Sequence, residues 1–136
     1  MEIKRIKGNT WVIEANQLIP FYKLDSGRCV LLDTGLPEEQ EELERTLSTA
    51  GLTPVGVLCS HAHVDHCANN RRFQEKYGAE IALTFPEAGM CSSLLTLKCY
   101  FLTLSPGMVE RESACMVHEP DYFIPPNDGP FTLGGA

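Results

Sequence analysis

The hydrophobic period of this chain changes between Asp33 and Pro37, and that change limits the folds open to it more than any other feature. Before it, short apolar runs alternate with turn residues. Residues 3–6 make one strand candidate, Gly8-Asn9 a turn, and residues 10–15 a second strand. Residues 18–24 and 28–33 flank the tight turn Asp25-Ser26-Gly27 and are expected to pair as a hairpin. Val30-Leu31-Leu32 is apolar without alternation, which predicts a strand covered on both faces. Beyond Pro37 the spacing becomes helical. Pro37 suits a first helical turn, the acidic run Glu38-Glu39-Gln40-Glu41-Glu42 complements the positive end of the helix dipole, and Gly51 closes it. Leu36, Leu43, Leu47 and Ala50 share one side of this helix. A second strand-to-helix unit follows, with residues 55–58 as strand, 69–77 as helix closed by Gly78, and 80–83 as the next strand. Strands in a meander that pass into strand–helix alternation predict the α/β (α+β) class, a sheet with helices packed on it.

The last third is harder to place on periodicity. Residues 90–104 are apolar and expected to be helical, as a core helix or subunit contact; the run is too short and too interrupted by Lys98 to span a bilayer. Residues 105–130 are rich in Pro, Gly and charge and are expected to be loop. With 136 residues the chain is one domain or part of one. Its net charge of −7 argues against a nucleic-acid or anionic-membrane surface, either of which requires a basic stripe. The start, MEIKRIKGNT, has no apolar leader, and the six cysteines follow no short-spaced disulfide framework. The expectation is a cytoplasmic protein with free thiols.

Chemistry concentrates in Cys59-Ser60-His61-Ala62-His63-Val64-Asp65-His66-Cys67. Only four histidines occur in the chain, and His61, His63 and His66 are three of them. The cluster follows directly on a buried strand, where α/β sheets place their ligands. In an extended segment alternate side chains point the same way, so His61 and His63 can converge on one cation. Asp65 follows at the same spacing, and His66 turns off as the next helix begins. Three imidazole nitrogens and one carboxylate oxygen suit zinc, and iron or manganese also accept such a set. Burying these groups without a cation would be costly.

His61-Ala62-His63-Val64-Asp65-His66 resembles the HxHxDH motif of the metallo-β-lactamase superfamily. Leu31-Leu32-Asp33-Thr34-Gly35 resembles the family's first motif, an apolar strand ending in Asp-Thr-Gly, and Cys67-Ala68-Asn69-Asn70 resembles the helix start that follows its metal motif. The resemblance covers about residues 1–85 and leaves 86–136 as a helix and loop region. It implies a metallo-β-lactamase-like αβ/βα sandwich, of which this chain holds the amino-terminal half. It further implies a site for two zinc ions, with His61 and His63 on the first and Asp65 and His66 on the second. Asp65 would also orient the nucleophile, and Asp33 would be a supporting residue that positions ligands. The implied reaction is hydrolysis of an ester, thioester, lactam, lactone or phosphodiester by a metal-activated hydroxide, with a small-molecule substrate.

The family's third histidine for the first metal lies in a Gly-His-Thr-Pro-Gly-like loop, and this chain has none. Its remaining histidine, in Met116-Val117-His118-Glu119-Pro120, does not resemble that loop and reads as a surface residue rather than a ligand. Residues 127–135 resemble the strand that ordinarily precedes the loop. The expectation is therefore a chain inactive by itself, completed by a carboxy-terminal half or associated as a homodimer or larger. Two alternatives remain open. One is a mononuclear iron oxygenase of the same fold, like the persulfide dioxygenases. The other is a non-enzymatic half-domain acting in assembly.

Overall fold

The computed structural model describes residues 1–25, 27–127 and 129–135. Four strands come first: β1 (Glu2–Lys7), β2 (Thr10–Glu14), β3 (Leu18–Lys23) and β4 (Arg28–Leu32). A 3-10 turn over Pro37–Glu39 leads into α1 (Gln40–Thr49), then β5 (Thr53–Leu58), α2 (Val64–Cys67), α3 (Asn70–Tyr77) and β6 (Glu80–Thr84). The chain continues through α4 (Phe85–Cys91), α5 (Leu94–Tyr100), α6 (Pro106–Ser113), a 3-10 turn over Ala114–Met116, and β7 (Tyr122–Ile124). All seven strands lie in one sheet in sequence order. β1 to β4 are antiparallel neighbours, and β5, β6 and β7 add in parallel. The switch from antiparallel to parallel falls at β4–β5, across the change of period after Asp33. The turn joining β3 to β4 includes Ser26, which lies outside the described residues.

One face of the sheet carries the core. Ile13, Ile19, Phe21, Leu31, Val57, Ile81 and Leu83 point into it and meet Leu43 and Leu47 of α1, Phe73 of α3 and Leu97 of α5, all buried. The expected αβ layer is therefore present. Among the described residues there is no second sheet to complete a sandwich.

The opposite face corrects the expectation for β4. Leu31 is fully buried, but Val30 and Leu32 are only half-buried. With Pro20, Tyr22 and Leu58 they line an apolar hollow on the helix-free face. Apolarity on both sides of this strand was legible; a cover for the second side was not. Part of that face is closed by residues near the carboxyl end. Leu133 is buried and lies over Gly56, where an added Cβ would come within 2.9 Å of the leucine Cγ.

Two expectations for the last third are also corrected. The helix predicted over 90–104 is broken after Cys91, because Ser93 starts a new one. Its hydroxyl accepts from Thr96 N while Thr96 Oγ1 accepts from Ser93 N, a reciprocal cap stronger than continuation. Leu102 and Leu104 fall beyond α5 and are exposed. The loop predicted over 105–130 contains α6, the 3-10 turn and β7. Ser105 caps α6 by accepting from Met108 N and Pro106 occupies its first turn, so the Pro-Gly pair that reads as a turn is a helix start. The strand expected over 127–135 does not form among the described residues, and Asp128 lies outside them.

Candidate metal centre

The site forms where β4 and β5 end side by side. Asp33 follows β4 directly, and its N–H donates to Leu58 O at 3.1 Å. Thr34 N donates to His66 O at 2.8 Å, which ties this loop to α2. Asp33 has φ of +68°, unusual for a residue with a side chain. The strained backbone aims its carboxylate across at β5, where Ser60 N donates to Oδ1 at 2.7 Å and Ser60 Oγ to Oδ2 at 2.8 Å. His66 Nδ1 lies 2.9 Å from the same Oδ2. Asp33 therefore touches both ends of the histidine cluster.

The cluster residues arrive as two pairs. His61 Nε2 is 3.1 Å from His63 Nδ1, and His66 Nε2 is 3.3 Å from Asp65 Oδ2. The His61 and His66 ring centroids are 4.0 Å apart, so the pairs adjoin. Zinc–nitrogen bonds of 2.0–2.1 Å in a tetrahedron place neighbouring donors about 3.3 Å apart. Both pairs thus match one edge of such a tetrahedron. As they stand, no group of three or more His, Cys, Asp or Glu among the described residues is arranged to hold a metal ion. His66 lies between two carboxylates, with Nδ1 turned to Asp33 and Nε2 to Asp65.

Several residues around the site gave no sequence signal. Gln17, on the connection between β2 and β3, donates from Nε2 to Asp65 Oδ2 at 2.9 Å. The carboxylate of Glu87, in α4, accepts from Ala62 N and anchors the loop between the two histidines. Tyr100, the last residue of α5, places its hydroxyl 3.4 Å from His63 Nε2. These contacts join positions far apart in the chain, and no local spacing rule could have found them. Ser60 lies inside the cluster, and its place between Cys59 and His61 was the one available hint.

All six cysteines are free thiols. Hydrogen bonding with buried Cys59 and Cys91, together with its own burial, pushes the Cys67 thiol upward, away from the thiolate form a metal ligand requires.

His118 corrects the surface reading made of it. It is buried, not on the surface, and both ring nitrogens are occupied. Nδ1 is 2.8 Å from Met116 O, and Nε2 is 3.3 Å from Asn70 Nδ2. Asn70 in turn accepts from Thr34 Oγ1 at 2.9 Å, so His118 braces the loop that carries Asp33. Burial holds its pKa below the ordinary 6.5, opposed by the Met116 carbonyl and the Asp121 charge. The unfolded chain therefore takes a proton near pH 6.5 that the folded chain refuses. Stability is unaffected above that pH and falls below it, by at most about 1.4 kcal/mol per pH unit from this group. Urea unfolding between pH 7.5 and 5.5 should show the fall, and His118→Gln should flatten it. An equal slope in the variant would show that other groups are responsible.

The comparisons with known proteins agree with this architecture. BJP-1, a subclass B3 metallo-beta-lactamase of Bradyrhizobium japonicum, superposes with a TM-score of 0.61 over 68% of this chain and 36% of that one, at 18% identity. A metallo-beta-lactamase of Cronobacter sakazakii with a HARLDQ motif gives 0.61 over 68% and 37%, at 19% identity. The Rm3 metallo-beta-lactamase gives 0.60 over 67% and 35%, at 25% identity. This chain thus spans little more than a third of the length of these structures, and the likeness at such identities is one of fold. No helix among the described residues is long and apolar enough to cross a membrane. The family model of the metallo-beta-lactamase superfamily matches residues 4–94, which include the Asp33 loop and the whole histidine cluster. A match over that much of the chain places this protein in the metallo-beta-lactamase superfamily.

Proposed function

We propose that these residues form the amino-terminal part of a metal-dependent hydrolase site, with zinc as the ion. His61 Nε2 and His63 Nδ1 would hold one ion, and Asp65 and His66 Nε2 a second. The observation that carries this reading is the pairing of donors at 3.1 and 3.3 Å, with the outer nitrogens of His61 and His66 engaged by Ser60 and Asp33. Partners of that kind fix tautomers and ring orientation before a metal enters. A bound divalent cation supplies a Lewis acid and lowers the pKa of a water it holds toward about 7.

The chain's own groups supply direction. Asp33 holds the His66 ring by accepting from Nδ1, so Nε2 faces the site. Asp65 orients the attacking water by accepting its hydrogen bond, and Gln17 limits rotation of that carboxylate by donating to it. The substrate is a small molecule with an ester, thioester, lactam, lactone or phosphodiester bond. Two protein donors per ion fall short of the three or more typical of zinc, so the remaining ligands come from outside residues 1–136.

Activity assays test this directly. Residues 1–136 with added zinc should hydrolyse thioester, lactam and phosphodiester test substrates no faster than a His61→Ala control. A longer form of the protein that supplies further ligands should turn over at least one of these classes, and its His61→Ala variant should not. Zinc-dependent turnover by residues 1–136 alone would show that the ligand set is already complete. Iron rather than zinc in elemental analysis of the active form would overturn the hydrolase reading in favour of oxygen chemistry.

A further inference from the structure

His61 and His63 meet across a bend, and a bend this small has little of its own to hold it. His63 N donates to His61 O at 3.1 Å, which closes a three-residue turn with one hydrogen bond. The N–H of the middle residue takes no part in that bond and needs another partner. Ala62 is fully buried, so water cannot serve. The partner is the Glu87 carboxylate, whose Oε2 accepts from Ala62 N. A carboxylate accepting from a backbone N–H makes one of the stronger hydrogen bonds. The flanks of the segment are held by the main chain. Cys59 N donates to Ala82 O, and His63 O accepts from His66 N and Cys67 N. The centre of the turn is held by Glu87.

The fold dictates where Glu87 stands. α4 begins directly after β6, and β6 pairs with β5 up to the Leu58–Ala82 position, where the histidine segment starts. Buried Ala88 and Cys91 fix the helix on the core. Glu87 and Cys91 are four residues apart and share one side of α4. The Cys91 thiol meets that of Cys67. One side of α4 therefore touches the motif at Ala62 and again at Cys67, on both flanks of His63, Asp65 and His66.

We infer that Glu87 is a positioning residue for the His61–His63 pair, an acceptor on α4 that pins the bend at Ala62 and so sets the separation of the two rings. Their centroids lie 4.6 Å apart. Glu87 acts through the backbone, whichever ring nitrogens carry protons. What it supplies is an acceptor oxygen in a fixed place, not negative charge near a cation. The inference rests on the metal reading above only for its effect on zinc; the pinned bend stands without it.

Proton NMR of residues 1–136 without metal tests the bend. The Ala62 amide should exchange slowly with solvent, and the His61 and His63 rings should show a cross-relaxation contact. In Glu87→Ala the Ala62 amide should exchange at least about tenfold faster, as expected for loss of a hydrogen bond to a charged group. The ring contact should weaken with it, while the Cys59 amide, bonded to Ala82 O, stays protected. Glu87→Gln keeps an acceptor oxygen without the charge and should restore both signals. Zinc should bind Glu87→Ala about tenfold more weakly, the lower end of the range for groups that orient ligands, and Glu87→Gln within about twofold of the unaltered chain. A fast Ala62 amide in the unaltered chain would overturn the inference before any substitution. So would a folded Glu87→Ala chain with its Ala62 amide and ring contact unchanged. Glu87→Gln behaving like Glu87→Ala would overturn it too, by making charge the source of the effect. If the unaltered chain binds no zinc, the metal reading fails by itself, and the Ala62 amide and the ring contact still decide this one.

Discussion

Titrated with zinc in competition with a chelator, the His63→Ala chain is expected to bind at least about a hundredfold more weakly than the unaltered one. Loss of a group that merely orients a ligand costs 10–100-fold in affinity, and loss of a ligand should exceed it. The substitution is clean in structural terms. What His63 contributes to α2 is its backbone carbonyl, which accepts from His66 N and Cys67 N, and alanine keeps that carbonyl. The side chain contributes one of only two donors on its edge of the site. Circular dichroism should therefore be unchanged while zinc content falls. Equal zinc stoichiometry and affinity in the two chains would remove His63 from the ligand set and leave the donor pairing without meaning.

The second large effect is expected in the core. Phe73→Ala should lower folding stability by about 3–5 kcal/mol, a large share of the 5–15 kcal/mol that a domain typically has. Phe73 is fully buried on α3, packs 5.4 Å from the Tyr77 ring, and helps seal α3 onto the sheet. The consequence reaches the site because α3 begins at Asn70, which joins Thr34 to His118. Asn69, just before it, donates from Nδ2 to Thr34 O and Leu36 O. A loosened α3 frees the loop that aims Asp33. Urea unfolding measures the loss, and zinc affinity should decline in parallel. A cost under about 1 kcal/mol would mean that α3 is not held by this ring.

Residue spacing alone determined most of the sheet. The strands through β6, the helix entered at Pro37 and the closure of α3 at Gly78 were legible, because alternation, caps and glycine turns act within a few residues. The nearness of His61 to His63 was expected from an extended backbone, but the structure reaches it otherwise: His63 N donates to His61 O across a tight bend at Ala62. The helix start at Ser105-Pro106 was also written locally, but its Pro-Gly pair carries two opposite signals, and only the burial of Val109 decides between them. Other features had no local signal at all. Whether β4 is covered on both faces depends on what packs over Val30 and Leu32, which the strand's own residues do not specify. His118 is buried because a 3-10 turn carries it under Asn70, 48 positions away in the chain. The contact of Asp33 with His66, and those of Gln17 and Tyr100 with the cluster, arise because parallel strands and their helices bring distant segments to one sheet edge. Local propensity acts over one or two turns of chain, so it can place ligands within a motif. The groups that orient those ligands are chosen by packing, and only the tertiary structure decides them.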